Sequence, residues 1–448
     1  MGSPVRICPA ILIAAPASGQ GKTTLACALA RLHARQGRRV RVFKCGPDFL
    51  DPHWLALASG HPVHQLDLWM TGSADCAQRL YDAAGDADLM IVEGVMGLFD
   101  GEPSAADLAQ RFGLPVLVVI DASAMAGTFG ALAWGLQDFR PGLRFAGVLA
   151  NRVASPGHAG MLQDSLRDAA QWQGALMRDD AFTLPERHLG LVVASEMDDA
   201  LARLDKAADA LETTPLGQMS PPDLQAWVVE FSAPAVSGAP ALKQPLSGVT
   251  IAVARDAAFC FIYAANIDCL ESLGARLTYF SPLADNALPP CDALWLPGGY
   301  PELHAADITA NDSMRASIAA HVQAGKPVWA ECGGMMALFE TLTTVDGASH
   351  PMWGLLPGSV TMQKRLAALG PQQLAVGGGT LRGHTFHYST CQTSLEPQAL
   401  TGAAPGRKLR GQGEALYKAG SLQASYFHAW FASDPAAAAA LFLKDTHA

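Results

Sequence analysis

The stretch from Ile7 to Thr24 constrains the chain more than any other. An apolar run from Ile7 to Ala15 breaks at Pro16 into Ala17-Ser-Gly-Gln-Gly-Lys-Thr-Thr24. A helical pattern follows at once, with Leu25, Ala28, Leu29 and Leu32 at i, i+3, i+4 and i+7 and Gly37 placed to end it. Strand, glycine loop and helix in that order turn backbone N–H groups and a helix N-terminus toward phosphate oxygens. Gly19, Gln20, Gly21, Lys22, Thr23 and Thr24 are therefore the expected ATP contacts. Lys22 would neutralise the β and γ phosphates, and the Thr23 hydroxyl would ligate Mg2+. The strict G-x-x-x-x-G-K-T spacing fails at one place, because Pro16 stands where the first glycine should be.

The same alternation continues. Val40 to Cys45, Leu89 to Val92, Pro115 to Asp121 and Phe145 to Asn151 read as buried parallel strands separated by helical segments. A second series begins later, with Gly248 to Ala254, Arg276 to Phe280, Ala293 to Pro297 and Pro327 to Glu331. Between them, residues 216–247 dissolve into Pro, Ser, Ala and Gly, including Pro221–Pro222 and Ser237-Gly-Ala-Pro240. The chain's 448 residues exceed one ordinary core. The expected organisation is an ATP-binding α/β domain over 1–215, a linker over 216–247 and a second α/β domain over 248–448. The Ala436 to Ala440 run reads as a helix.

Composition narrows the class. The formal net charge of −10 gives no support for nucleic-acid binding. No segment approaches the roughly 18 apolar residues of a membrane span, and the N-terminus lacks the parts of a signal peptide. Nine cysteines lie scattered without a C-x-x-C pair, which speaks against a disulfide framework or structural zinc. A cytoplasmic protein is expected, with neither nucleic acid nor membrane as partner; a homodimer is compatible with the reading.

Acidic residues gather at the ends of the first strands. Glu93 closes the third strand and would hold the nucleotide Mg2+. Asp48 and Asp51 follow the second strand in Lys44-Cys-Gly-Pro-Asp-Phe-Leu-Asp51, and Asp100 lies in Val92-Glu-Gly-Val-Met-Gly-Leu-Phe-Asp-Gly101. Asn151, at the end of the fifth strand, either reads the adenine edge or caps a helix. In the second half, Val328-Trp-Ala-Glu-Cys-Gly-Gly334 has the form of a nucleophile elbow, with Cys332 at a tight strand-to-helix turn whose dipole favours the thiolate. Gly298 and Gly299, ending the preceding strand, and Gly333 would supply oxyanion-hole N–H groups. His428, in Ala424-Ser-Tyr-Phe-His-Ala-Trp430, is the expected base.

These segments, in this order, resemble the cobyrinic acid a,c-diamide synthases and the related hydrogenobyrinic acid enzymes. Further matching stretches are Leu184 to Leu191, Ala258 to Tyr263, Leu296 to His304 and Arg382-Gly-His-Thr-Phe-His-Tyr-Ser389. The resemblance implies a dethiobiotin-synthetase-like phosphate-loop domain followed by a class I glutamine amidotransferase domain. It implies that Cys332 attacks glutamine with His428 as base and releases ammonia along an enclosed path. ATP would activate the a and c carboxylates of the corrin ring as acyl phosphates, with Mg2+ on Thr23, Glu93 and Asp48. Many relatives carry an acid two positions after the histidine; here that position is Trp430, so a Cys–His pair is expected. Asp51, Asp100 and Arg382, with Arg187, are candidates for activating or holding the acidic substrate.

Rival readings remain at this point. Cobyric acid synthase and nickel-tetrapyrrole a,c-diamide synthase share the domain pair. A partitioning-type ATPase switch, or a dethiobiotin-like ligase, would use the loop but needs no cysteine elbow.

Overall fold

A computed structural model describes residues 4–187, 190, 191, 194, 197–234, 244–404, 409 and 411–444. The chain forms two compact units, Met1–Ser237 and Gly238–Ala448.

In the first unit the strands are β1 (Val5–Ala14), β2 (Val40–Cys45), β3 (His64–Leu66), β4 (Leu89–Glu93), β5 (Val116–Asp121), β6 (Phe145–Val153), β7 (Trp172–Met177), the two-residue pair β8 (Glu186–Arg187) and β9 (Gly190–Leu191), and β10 (Val228–Ser232). Helices α1 (Lys22–Arg35), α2 (Asp51–Ser59), α3 (Ser73–Ala83), α4 (Ala105–Phe112), α5 (Thr128–Asp138), α6 (Pro156–Asp164) and α7 (Ala200–Glu212) lie between them. The sheet runs β3-β2-β4-β1-β5-β6-β7 with parallel neighbours. Successive residues of β1 serve opposite cores, because side chains alternate across a sheet covered on both faces. Ile11 and Ile13 pack with Leu25 and Leu29 of α1, while Leu12 and Ala14 pack with Phe129 and Leu162. The Gly37 N–H bonds the Ala34 carbonyl at 3.0 Å, just past the end of α1.

The expected linker is narrower than 216–247. Leu216, Leu224 and Trp227 are buried in the α1 core, and β10 pairs antiparallel with the first half of β1, Val5 opposite Ser232. Val229-Glu-Phe-Ser232 alternates apolar and polar as an edge-pairing strand should, a signal masked by the prolines before it. The Ser237-Gly-Ala-Pro240 run lies outside the described residues.

The second unit has a sheet of order β12-β11-β13-β14-β24-β23-β21. Its strands are β11 (Thr250–Ala254), β12 (Arg276–Phe280), β13 (Ala293–Leu296), β14 (Val328–Glu331), β21 (Ala399–Leu400), β23 (Ala415–Ala419) and β24 (Leu422–Ser425). Two four-stranded sheets accompany it. One is built from β15 (Phe339–Thr343), β16 (Ser349–Pro351), β17 (Leu356–Met362) and β20 (Ser389–Gln392). The other holds β18 (Ala368–Val376), β19 (Gly379–His387), β22 (Gly402–Ala403) and β25 (His428–Trp430). Helices α8 (Ala264–Ser272), α9 (Ala305–Ala310), α10 (Asp312–Gln323), α11 (Gly333–Met336) and α12 (Pro435–Ala440) complete the unit. Ile251, Val253, Trp295 and Trp329 fill one core, and Ala252, Leu294, Ala330 and Met335 the other. No described helix is long and apolar enough to cross a membrane.

Gly217 tests the revised boundary. A Cβ there would lie 2.0 Å from the Leu211 carbonyl oxygen. Gly217→Ala is expected to lower the stability of the first unit by about 1–3 kcal/mol in urea titrations, since backbone cannot yield as a flexible side chain does. A linker residue would leave the curve unchanged.

Candidate functional site

The loop after β1 reaches α1 through two left-handed glycines, Gly19 (φ 76°) and Gly21 (φ 96°). Gly21 has a second reason to lack a side chain: a Cβ would stand 2.1 Å from the Asn151 amide nitrogen. Asn151 caps no helix. Its amide donates to the Gln20 carbonyl at 2.9 Å, and the Gln20 side-chain oxygen accepts from the Asp121 backbone N–H at 2.9 Å. Arg152 (φ 55°) donates to the Gly19 carbonyl at 3.1 Å and to Asp121 at 2.6 Å. The ends of β5 and β6 thus brace the loop from one side, through residues the sequence reading passed over except for Asn151.

On its other side the loop meets buried charge. Lys22 donates to the Ala17 carbonyl at 3.1 Å and the Met96 carbonyl at 2.7 Å. The Thr23 hydroxyl donates to Glu93 at 2.6 Å and approaches Asp51 at 3.3 Å. Lys44, inside the buried end of β2, pairs with Asp51, with Glu93 at 3.2 Å and with Asp48 at 3.5 Å. A lysine near the end of a mostly apolar strand was the available signal for this cluster, because such a cation, once buried, requires carboxylates around it.

The charges respond to that burial. Lys44 loses hydration, yet Asp51, Glu93 and Asp48 outweigh this and hold its pKa well above the ordinary lysine value. Burial pushes Asp48 and Glu93 up to about 7. Asp51 is also penalised by burial, but the Lys44 charge and hydrogen bond bring it below the usual carboxylate range. Asp48 spends Oδ1 on the Leu50 and Asp51 backbone N–H groups at the start of α2. Asp51 consequently stands nearer Thr23 than the expected Asp48 does. Asp100 lies apart from the cluster and accepts from the Gly97 N–H at 2.9 Å.

A Mg2+ nucleotide fits these residues. Glu93 Oε2 is buried with no hydrogen-bond partner, beside the Thr23 hydroxyl. Among the described residues no three His, Cys, Asp or Glu side chains form a metal cage. One or two protein oxygens are what Mg2+ takes when phosphates and water complete its shell.

In the second unit Cys332 (φ 45°, ψ −108°) turns β14 into α11. A non-glycine residue there is strained, as at nucleophile elbows. The turn closes because Gly334 has no side chain: a Cβ would meet the Leu296 carbonyl oxygen at 2.1 Å. The Gly298–Gly299 run lies against the elbow, since a Cβ on Gly333 would sit 2.9 Å from the Gly299 nitrogen. His428, on β25, closes over the same run: a Cβ on Gly298 would lie 2.5 Å from its Cε1. Cys332, Gly298, Gly299, Gly333 and His428 therefore meet in one place.

Burial works against the expected thiolate. Burial raises the Cys332 pKa above the ordinary thiol value, and the nearby Glu302 adds to the shift. The helix that was to favour the anion is only the four residues of α11, too short to offset desolvation. Burial, then His387, lowers the His428 pKa to about 3, opposed by Glu414. The imidazole is neutral and able to take a proton. Its Nδ1 lies 3.8 Å from Glu331 Oε2, an acid that sequence reasoning missed because it precedes the cysteine. His384 stacks on His428 at 5.0 Å, and His387 bonds Glu414 at 3.1 Å. Arg382, on β19, pairs opposite Trp430 in this second unit. The Arg187 side chain lies outside the described residues.

Residues 11–192 match the family described as the CobQ/CobB/MinD/ParA nucleotide binding domain, and residues 250–436 the CobB/CobQ-like glutamine amidotransferase domain. Hydrogenobyrinate a,c-diamide synthase of Stutzerimonas stutzeri is 58% identical over 437 residues, spanning 97% of this chain and 99% of that protein. The Pseudomonas aeruginosa enzyme of the same name is 57% identical, covering 97% of each chain. Cobyrinate a,c-diamide synthase of Herminiimonas arsenicoxydans is 49% identical over the full length of both.

Lys44→Met is expected to destabilise the first unit by about 3–5 kcal/mol at neutral pH, because the carboxylates lose their cation. Against the burial penalty, Lys44 holds Asp51 below the usual carboxylate range, a contribution present above that range and lost as pH falls through it. The deficit should therefore be full at neutral pH and shrink as pH falls below about 4, as read by denaturant titrations at several pH values.

Proposed function

We propose, for a chain that belongs to the hydrogenobyrinate and cobyrinate a,c-diamide synthase family, that it amidates the a and c carboxylates of a corrin ring, drawing nitrogen from glutamine and energy from ATP. The observation that carries this reading is the presence in one chain of a braced phosphate loop facing buried carboxylates and a strained cysteine elbow facing a neutral histidine. A switch ATPase has no use for the second site.

A carboxylate resists attack by ammonia because its charge repels the nucleophile and oxide is a poor leaving group. Transfer of the γ-phosphoryl from ATP to a ring carboxylate gives an acyl phosphate, which ammonia opens to the amide with loss of phosphate. Lys22 and the N–H groups of residues 19–24 carry the nucleotide phosphates. Thr23 and Glu93 would hold the nucleotide's Mg2+, which offsets charge at the transferring phosphoryl, with Asp51 beside them and Asp48 in support. Asn151 and Gln20 keep the loop in its binding shape, and we assign Asn151 to the adenine side as well. Asp100 and Arg382 stay with the acidic substrate in this reading.

In the second unit His428 takes the Cys332 proton as sulfur attacks the glutamine amide. The Gly299 and Gly333 N–H groups, with Gly298, receive the developing oxyanion. Ammonia departs, and water hydrolyses the glutamyl thioester. The relatives at 58% and 57% identity are named for hydrogenobyrinate and the one at 49% for cobyrinate, so we favour the metal-free ring as acceptor.

Cys332→Ala should lose glutamine-dependent ADP release by at least about 1000-fold, since a covalent nucleophile is removed, and keep activity with added ammonium. Equal ATP hydrolysis by both proteins, with neither ring acid gaining mass, would refute the reading.

A further inference from the structure

The mechanism above leaves one buried acid unused, the residue that precedes the nucleophile. Glu331 ends β14 with a side chain only 2% exposed. Its Oε1 accepts from the Trp329 indole N–H at 2.7 Å and from the Ala429 backbone N–H at 3.4 Å. Those bonds fix the carboxyl so that Oε2 lies 3.8 Å from His428 Nδ1. One clamped oxygen and one facing an imidazole nitrogen is the relation through which an acid orients a catalytic histidine. The position two residues after His428 carries no acid but Trp430, a fully buried indole.

We propose that Glu331 is the positioning residue for His428, its Oε2 holding the ring proton on Nδ1 so that the Nε2 lone pair faces the Cys332 thiol. This rests on the glutaminase reading and adds its third member from a different strand. In the first step the S–H bond breaks, its proton moves to Nε2, and the sulfur electron pair forms the bond to the amide carbon. The imidazolium keeps its Nδ1 proton against the Glu331 carboxylate. When the carbon–nitrogen bond breaks, the Nε2 proton goes to the departing nitrogen, giving ammonia and the thioester.

The ionised form of Glu331 is the one that works. A protonated Glu331 would donate to Nδ1, drive the ring proton to Nε2 and remove the base. Burial pushes this carboxyl up to about 8. The titratable groups around the pair are Cys332 next in sequence, His384 stacked on the ring, and His387 and Glu414, which act on His428 from opposite signs. Glutaminase turnover should therefore rise with pH through a limb that belongs to Glu331.

The test compares native enzyme with Glu331→Gln and Glu331→Asp. Glutaminase kcat of Glu331→Gln should fall about 100-fold, the scale of misplacing a general base, with KM for glutamine within about threefold. Ammonium-dependent amidation should stay unchanged, the rising limb should vanish, and Glu331→Asp should recover part of kcat. Unchanged kcat and an unmoved pH profile in Glu331→Gln would overturn the proposal. If Glu331→Gln does not fold, 15N spectra of histidine-labelled native enzyme, recorded above about pH 8 where Glu331 is ionised, decide, with Nδ1–H on His428 expected and Nε2–H contradicting it. Native enzyme that hydrolyses no glutamine would refute the parent reading instead, a result distinct from either.

Discussion

Lys44 carries its ammonium into the interior of the first unit, where Asp51, Glu93 and Asp48 surround it, and the nucleotide site depends on that balance. Taking charge out of water is costly unless it is paired, so each carboxylate is tied to the cation and to its neighbours. The pairing sets Glu93 beside Thr23, in the first turn of α1. Asn151 and Arg152 brace the glycine loop on one side, and this cluster meets it on the other.

The second unit uses the opposite state of the same physics. Cys332, His428 and Glu331 are all buried, and burial moves each toward its uncharged form. In the proposed reaction, charge separates on this pair once a carbonyl is in place to receive the sulfur and backbone N–H groups to receive the oxygen.

Much of this was legible in the letters. Nine strands expected from apolar runs appear within a few residues of their predicted bounds, from Val5–Ala14 to Val328–Glu331, because most are covered on both faces and therefore largely apolar, the edge strand Arg276–Phe280 excepted. Cys332 and the phosphate loop could be found because tight turns demand small residues in a fixed order. Three things were hidden. The strand at Val228–Ser232 sat behind a proline-rich stretch that looked like linker. The sheets between Phe339 and Ala403 are half-exposed strands, antiparallel except where β15 pairs with β17, and their alternation is weak. Lys44 and Glu331 draw their meaning from partners far along the chain, and no local spacing announces a contact such as that between Glu331 and His428. The relative standing of Asp48 and Asp51 was equally out of reach, since only the folded turn shows that Asp48 spends an oxygen on backbone N–H groups.

The account stands on nitrogen passing from the glutamine amide to the ring carboxyls. The most direct measurement supplies amide-15N glutamine, ATP and hydrogenobyrinic acid to the native enzyme and follows the corrinoid by mass spectrometry. The account predicts a product carrying two 15N atoms, one on each of two new carboxamides, with ADP formed for each. A ring that stays unlabelled while glutamine and ATP are consumed would contradict it.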